Sequence, residues 1–268
     1  MVLDLGAIAG RVAVGLAVGV LVGLTGLGGG MVLLPVLISV LGVPPILAVG
    51  SDAVINCITK IGAGGLHWRQ GNVSWRLVLS LTYGSIPGAI IGVAILTWVR
   101  ATFGNGVNDF LRASIGVLLV VIPVGYLFKP RASAPQVSFS VLQEKKYCFG
   151  VTLIGFFAGI LVGLTSIGSG SVILVLLLVF YGFPPAMLVG TDIIHAVLLA
   201  GLTGWLQFKL GNVDFVLVLC VLMGSVPGGL LGAYLASHVS SSRLKQVLCV
   251  LLMAVGARML WGVLVHAN

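Results

Sequence analysis

Eight apolar stretches, near residues 7–25, 46–66, 74–98, 110–128, 147–165, 186–206, 214–236 and 244–265, each approach the ~20 residues a helix needs to cross a bilayer. Two further apolar segments, residues 30–42 and 170–182, are only 13 residues long and too short for ordinary spans. Of the 268 residues, 59% are hydrophobic and 7% charged, where soluble domains carry about 25% charged residues. Backbone polar groups in hydrocarbon must be satisfied internally, so the expected fold is an all-α polytopic membrane protein. The first stretch has neither a basic n-region nor a clear cleavage site and is expected to stay as a membrane helix.

The net charge of +8 does not point to nucleic acid, because the basic residues are scattered between the spans and no soluble domain carries a binding face. They read instead as the positive-inside bias of membrane loops. Cys57, Cys148, Cys220 and Cys249 form no CxxC or Cys/His metal spacing and are read as packing residues. Neither a metal nor a cofactor is expected.

A shift of 140 residues lays the sequence over itself. "GVLVGLTGLGGG" (19–30) meets "GILVGLTSIGSG" (159–170), "GVPPILAVGSD" (42–52) meets "GFPPAMLVGTD" (182–192), and "GSIPG" (84–88) meets "GSVPG" (224–228). Between residues 19 and 92, 30 of 74 positions are identical to their counterparts, and the agreement concentrates in Gly, Pro, Asp and Asn. The expected organisation is a first transmembrane repeat (1–128), a polar cytoplasmic linker (129–146) and a second repeat (147–268). Internal repeats in membrane proteins point to secondary transporters, with sites at the repeat interface built from discontinuous helices.

If each short helix crosses, the repeats are inverted. Arg69, Arg76, Lys129, Arg131, Lys145, Lys146, Arg243 and Lys245 then share one side, opposite Arg100, Arg112 and Lys209. Re-entrant short helices with parallel repeats divide the same residues almost as well. Inversion is the preferred reading, because an unwound glycine stretch plus a 13-residue helix reaches roughly 35 Å.

Irregular backbone survives at membrane depth only where it lines a cavity or is buried in protein. The run Gly26-Leu27-Gly28-Gly29-Gly30 is therefore expected to be a non-helical turn facing something polar. Nucleotide binding is not expected, for want of a GK[ST] ending or a preceding strand. Helices starting near Gly30 and Gly170 present free N–H groups and the positive end of a dipole to an anion. Hydroxyl donors at Thr25, Thr165, Ser166, Ser169 and Ser171, with Gly168, surround those starts. Gly19, Gly23, Gly159 and Gly163, spaced GxxxG, read as close-packing positions. Pro87 and Pro227 are expected to kink their spans, and each "GNV" to be a turn.

Asp52 and Asp192 occupy the same place in both repeats within apolar sequence, and an ionisable residue at membrane depth is a functional hypothesis. Asp52, Asn56 and Lys60, spaced i, i+4, i+8, share one helix face. Asp192 and His195 share another, where alanine replaces lysine at position 200. Lys60 offers a cation to a bound anion, and Asp52, Asp192 and His195 are candidates for coupling or gating through a proton. The rival use of Ser51-Asp52 and Thr191-Asp192 is N-capping of helices that restart there.

The combination of "GLTGLGGGMVLLP", its weaker copy "GLTSIGSGSVILV" after a basic linker, and "PPILAVGSD"/"PPAMLVGTD" resembles the sulfite exporter TauE/SafE family of membrane transporters. The resemblance covers residues 7–265. It implies movement of sulfite, sulfonates or related small anions across a bacterial cytoplasmic membrane. The family's motif falls on Gly26, Gly28, Gly29, Gly30 and Pro35; the second copy departs from it at Ser166, Ser169 and Val175. The resulting expectation is a multi-pass secondary anion transporter working by alternating access, with no ATPase motif. An anion channel is the alternative that the same donors serve. A membrane-embedded enzyme finds no HExxH, GxSxG or paired-carboxylate support.

Overall fold

The computed structural model describes residues 5–25, 29–127, 145–168, 173, 176–177, 185–235 and 241–266. Every regular element among them is helical: α1 Leu5–Thr25, α2 Gly29–Ser39, α3 Pro45–Arg69, α4 Trp75–Phe103, a 3-10 turn Gly104–Gly106, α5 Val107–Leu127, α6 Lys145–Thr165, α7 Pro185–Lys209, α8 Phe215–Leu235 and α9 Ser241–His266. Seven helical stretches are long and apolar enough to cross a membrane, one of which, Trp75–Gly125, takes in both α4 and α5. This is a multi-pass membrane protein.

The breaks follow from local chemistry. Proline opens α3 and α7 at the position where its missing N–H has no helical partner to lose. Both helices end two residues before a glycine at φ 72, Gly71 and Gly211, and each "GNV" is the expected turn. Gly104, at φ 55, turns the chain between α4 and α5. Helices α4 and α9 extend beyond the apolar stretches that announce them, and α6 takes in Lys145 and Lys146 from the expected linker, because polar residues at a membrane surface extend a helix freely. The other linker positions, 128–144, lie outside the described residues. Helix α2, at 11 residues, is about 16 Å long, near half the thickness of a bilayer core.

Helices in lipid gain little from hydrophobic burial against one another, so backbone proximity and van der Waals packing decide which ones pair. Gly15, Gly19 and Gly23 of α1 lie against the backbone of Val221, Ser225 and Gly229 of α8, so close that any Cβ there would overlap a carbonyl oxygen. Gly155, Gly159 and Gly163 of α6 lie the same way against Leu81, Ser85 and Ala89 of α4. The glycines of "GSIPG" and "GSVPG" return the contact: Gly84 and Gly88 meet α6, and Gly224 and Gly228 meet α1. The sequence assigns these motifs to kinks through Pro87 and Pro227. Both helices run on through the prolines, and the flanking glycines form the other half of the two glycine seams.

The middle pair runs differently. Val54 of α3 faces Gly204 of α7, Cys57 faces Gly201 and Val197, and Gly64 faces Ile194, so α3 and α7 are antiparallel. Cys57 and Val197 are the central residues of their 25-residue helices and 140 residues apart. Helices α5 and α9 also meet antiparallel, with Gly116 facing Gly256 and Leu260. The apolar core follows the same numbering. Leu77, Leu81, Ile173, Leu177 and Leu188 form one buried cluster, and their counterparts 140 residues away, Leu217, Val221, Leu33, Leu37 and Ala48, all belong to another.

Widening a glycine seam should disrupt the fold where widening elsewhere does not. Gly19→Leu is expected to cost 1–3 kcal/mol or more through overpacking, and to lower the melting temperature of the detergent-purified protein. Gly10→Leu, on the same helix with nothing within 4 Å of a Cβ, is expected to leave it unchanged.

Candidate functional site

The functional candidates gather at the crossing of α3 and α7. Asp52 and Asp192 each precede the central residue of their helix by five positions, about 7.5 Å of rise. Because the helices are antiparallel, the two carboxylates fall on opposite sides of the crossing. Asp52 is fully buried and Asp192 is 5% exposed. The N-capping reading is corrected here. With Pro45 and Pro185 starting the helices, Ser51–Asp52 and Thr191–Asp192 stand nearly two turns inside them. Ser51 and Thr191 cap a different helix instead. Ser51 Oγ accepts the Asp214 N–H at 3.0 Å, just before α8, and Thr191 Oγ1 accepts the Ser74 N–H at 2.9 Å, just before α4. Gly50 and Gly190 admit the carbonyls of Asn212 and Asn72 beside them. Each "GNV" turn is thus docked on the start of a central helix, a role its sequence did not disclose.

Around Asp52 the polar groups are close. Ser166 Oγ donates to Asp52 Oδ2 at 2.7 Å. Asn56 Nδ2 donates to the Asp52 carbonyl at 3.0 Å. Helix α2 starts against these groups: a Cβ on Gly29 would lie 2.6 Å from Asn56 Oδ1, and one on Gly30 within 3.0 Å of the Ser166 carbonyl and 3.1 Å of Asp52 Oδ2. A side chain at either position would press on these groups. Ser166 follows the end of α6 at φ 58, the left-handed conformation that ends a helix and usually falls to glycine. Its repeat counterpart is Gly26, and the hydroxyl on Asp52 is what serine adds there.

The other side of the crossing is built from different side chains. Lys60, half-buried, lies on α3 between Cys57, which touches Val197, and Gly64, which faces Ile194. Its charge acts on Asp192, Asp52 and His195. His195 is fully buried, and its Nε2 is hydrogen-bonded to Ser85 Oγ of α4 at 2.8 Å. Asp52 Oδ1, Asp192 Oδ1 and His195 Nδ1 are buried without a hydrogen-bond partner among the described residues. Buried polar atoms are nearly always paired, so three unpaired ones around one crossing make it the candidate site.

The remaining candidates divide. Gly29, Gly30, Asn56, Ser166 and Asp52 come together, as do Lys60, Asp192 and His195. Thr165 Oγ1 gives its hydrogen to the Leu161 carbonyl at 2.8 Å and accepts the Ile167 N–H at 3.3 Å, so that hydrogen is already engaged. Gly168, at φ 112, continues the turn after Ser166. Gly26, Gly28, Ser169, Gly170 and Ser171 lie outside the described residues, as does the side chain of Thr25. Ser85 belongs to a motif read only as architecture. The signal that singles it out is a hydroxyl set among glycines where its counterpart, Ser225, faces a different chemistry, since position 55 holds isoleucine where 195 holds histidine. Ser225 Oγ accordingly has no partner among the described residues.

That difference is measurable. Ser85→Ala removes the partner of a buried imidazole and is expected to cost 1–3 kcal/mol of stability. Ser225→Ala removes a buried hydroxyl already without a partner, and is expected to leave stability unchanged or raised in the same thermal or denaturant assay.

Comparison with known proteins places the chain among membrane transporters. The family model described as "Sulfite exporter TauE/SafE" matches residues 12–259. A "Probable membrane transporter protein YjnA" of Bacillus subtilis (strain 168) is 37% identical over 252 residues, covering 93% of this chain and 98% of that one. A "Probable membrane transporter protein YunE" of the same organism is 24% identical, covering 93% and 96%. A "Probable membrane transporter protein" of Xylella fastidiosa (strain Temecula1 / ATCC 700964) is 26% identical, covering 91% of each chain. No solved structure gives a significant match. The chain belongs to the sulfite exporter TauE/SafE family of membrane transporters.

Proposed function

We propose that this protein is a secondary transporter that moves a small sulfur-containing or organic anion, such as sulfite or a sulfonate, across the bacterial cytoplasmic membrane. Its two halves would be inverted repeats that alternate access to a site at the α3–α7 crossing. The observation that carries this reading is the antiparallel contact of repeat-equivalent helices at equivalent residues, Cys57 with Val197 and Gly116 with Gly256. A two-fold axis in the membrane plane produces such contacts, and parallel repeats would bring the same helices together parallel. The reciprocal glycine seams and the reciprocal docking of the two "GNV" turns follow from the same operation.

The anion reading is supported by Lys60 at the crossing, by the N–H groups at the start of α2, and by the name of the family. Asp52 stands at that helix start, so an anion approaching Gly26–Gly30 meets a carboxylate unless positive charge accompanies it. Lys60 supplies such charge from the Asp192 side. Asp52, Asp192 and His195 are the groups through which a further compensating charge, a proton in the simplest case, would couple transport to an ion gradient. The small donors Thr25, Ser169 and Ser171 would complete the anion's hydrogen bonds.

The test is the thermal stability of the detergent-purified protein, at fixed sodium and pH, against sulfite, sulfate, thiosulfate, sulfonates, acetate and chloride. A ligand at 100 times its dissociation constant adds about 2.7 kcal/mol to stability. Selective stabilisation by a sulfur oxyanion, lost in Lys60→Ala, is expected. No response to any anion at saturating concentration would remove the anion reading while leaving the inverted architecture intact.

A further inference from the structure

We infer that Asp52, Asn56 and Ser166 form a binding site for a small monovalent cation of the sodium type. The inference stands on the buried charge and geometry at the crossing and does not depend on which substrate is carried.

The charge is the first argument. Around the crossing stand two carboxylates, Asp52 and Asp192, and one ammonium, Lys60, whose charge acts on both. The elements packed there supply no further charge nearby. Helices α2 and α8 contain no charged residue, and the charges of α6 are confined to its opening lysines. Those of α4 are Arg76 and Arg100 near its ends, the latter donating to Asn212 Oδ1 at 2.7 Å. With the imidazole neutral, the two carboxylates outnumber Lys60 by one negative charge. An unpaired charge removed from water is expensive, so a bound charge of +1 restores balance where a divalent ion would overshoot it.

The geometry is the second argument. Asp52 Oδ1 is buried with no partner among the described residues, and Oδ2, on the same carboxyl group, receives the Ser166 hydroxyl. Ser166 sits past the C-terminus of α6, where helical carbonyls lack partners and the dipole is negative. Its left-handed φ of 58 brings its carbonyl oxygen and its hydroxyl to the same side as Asp52 and Gly30. Asn56 Oδ1 borders the same space at Gly29. The Ser166 carbonyl oxygen and Asp52 Oδ2 thus lie 3.0 and 3.1 Å from where a Cβ on Gly30 would stand, with the Ser166 hydroxyl 2.7 Å from Oδ2 and the Asn56 amide turning its nitrogen to Gly30 and its oxygen to Gly29. Hard oxygen donors of this kind suit a small alkali cation. A carboxylate beside carbonyls freed by a broken helix is the arrangement by which transporters hold coupling cations. The second half lacks the equivalent, since alanine stands at 196 where Asn56 stands in the first, and glycine at 26 where serine stands at 166.

The experiment is a sodium titration of the detergent-purified full chain, at constant pH and ionic strength with choline as the replacing ion, followed by melting temperature, with potassium and lithium as parallel arms and no substrate anion present. Sodium, and lithium if the cradle is as tight as the glycines imply, is expected to raise the melting temperature by several degrees in a saturable manner, with potassium at least tenfold weaker. Asp52→Asn is expected to abolish the sodium response while remaining folded, because it removes the charge and keeps the shape. Ser166→Gly, which matches the other repeat and relieves the backbone, is expected to raise the half-saturating sodium concentration about tenfold, whereas Ser225→Ala leaves it unchanged. A melting temperature equally indifferent to sodium, lithium and choline would overturn the proposal. So would stabilisation that follows only pH and vanishes in Asp52→Asn, which would give the site to a proton.

Discussion

The antiparallel crossing of α3 and α7 at Cys57 and Val197 is the contact on which the rest of the molecule depends. It places two identical acidic positions on opposite sides of one point, and brings Lys60 of one helix beside Asp192 and His195 of the other. The outer helices hold that crossing in place. Helices α1 and α8, and α4 and α6, meet along seams with so little side chain between them that their backbones touch, which is how helices in lipid obtain close packing without a hydrophobic driving force. Ser51 and Thr191 then tie the start of each central helix to the turn before α8 or α4, the outer helices docked beside them.

Much of this was legible in the sequence. The spans and the first short helix follow from apolar length, and the structure starts α2 one residue from the expected position; the second short segment, 170–182, lies largely outside the described residues. Asp52, Asn56, Lys60, Asp192 and His195 stood out because polar side chains are rare in such sequence. Partners, however, could not be read from spacing. That Ser166 donates to Asp52, 114 positions away, or that Ser85 holds His195, depends on which helices pair across the repeats, and a glycine seam does not name its partner. The capping reading failed for a local reason. Paired prolines start the helix earlier than the Ser-Asp and Thr-Asp pairs suggested, which carries both acids into its interior.

The duplication also explains the chemistry by its failures. The glycine seams, the turns and the paired acids Asp52 and Asp192 are common to both halves. The polar positions are not: Gly26, Ile55, Asn56 and Lys60 correspond to Ser166, His195, Ala196 and Ala200. One side carries Asn56 and Ser166 on Asp52, and the other carries Lys60 and His195 beside Asp192. The two sides of the crossing therefore differ in the charge and hydrogen bonding around their acids.

The central claim, that the two halves are inverted about this crossing, is tested most directly by where the two "GNV" turns surface. In a protein freed of its four native cysteines, Gln70→Cys and Leu210→Cys place one thiol on each exposed, repeat-equivalent turn. Labelling intact cells with a membrane-impermeant maleimide should modify one of the two, and the other only after the membrane is opened. Equal labelling of both positions from the same side would contradict the inverted arrangement and the transport mechanism built on it.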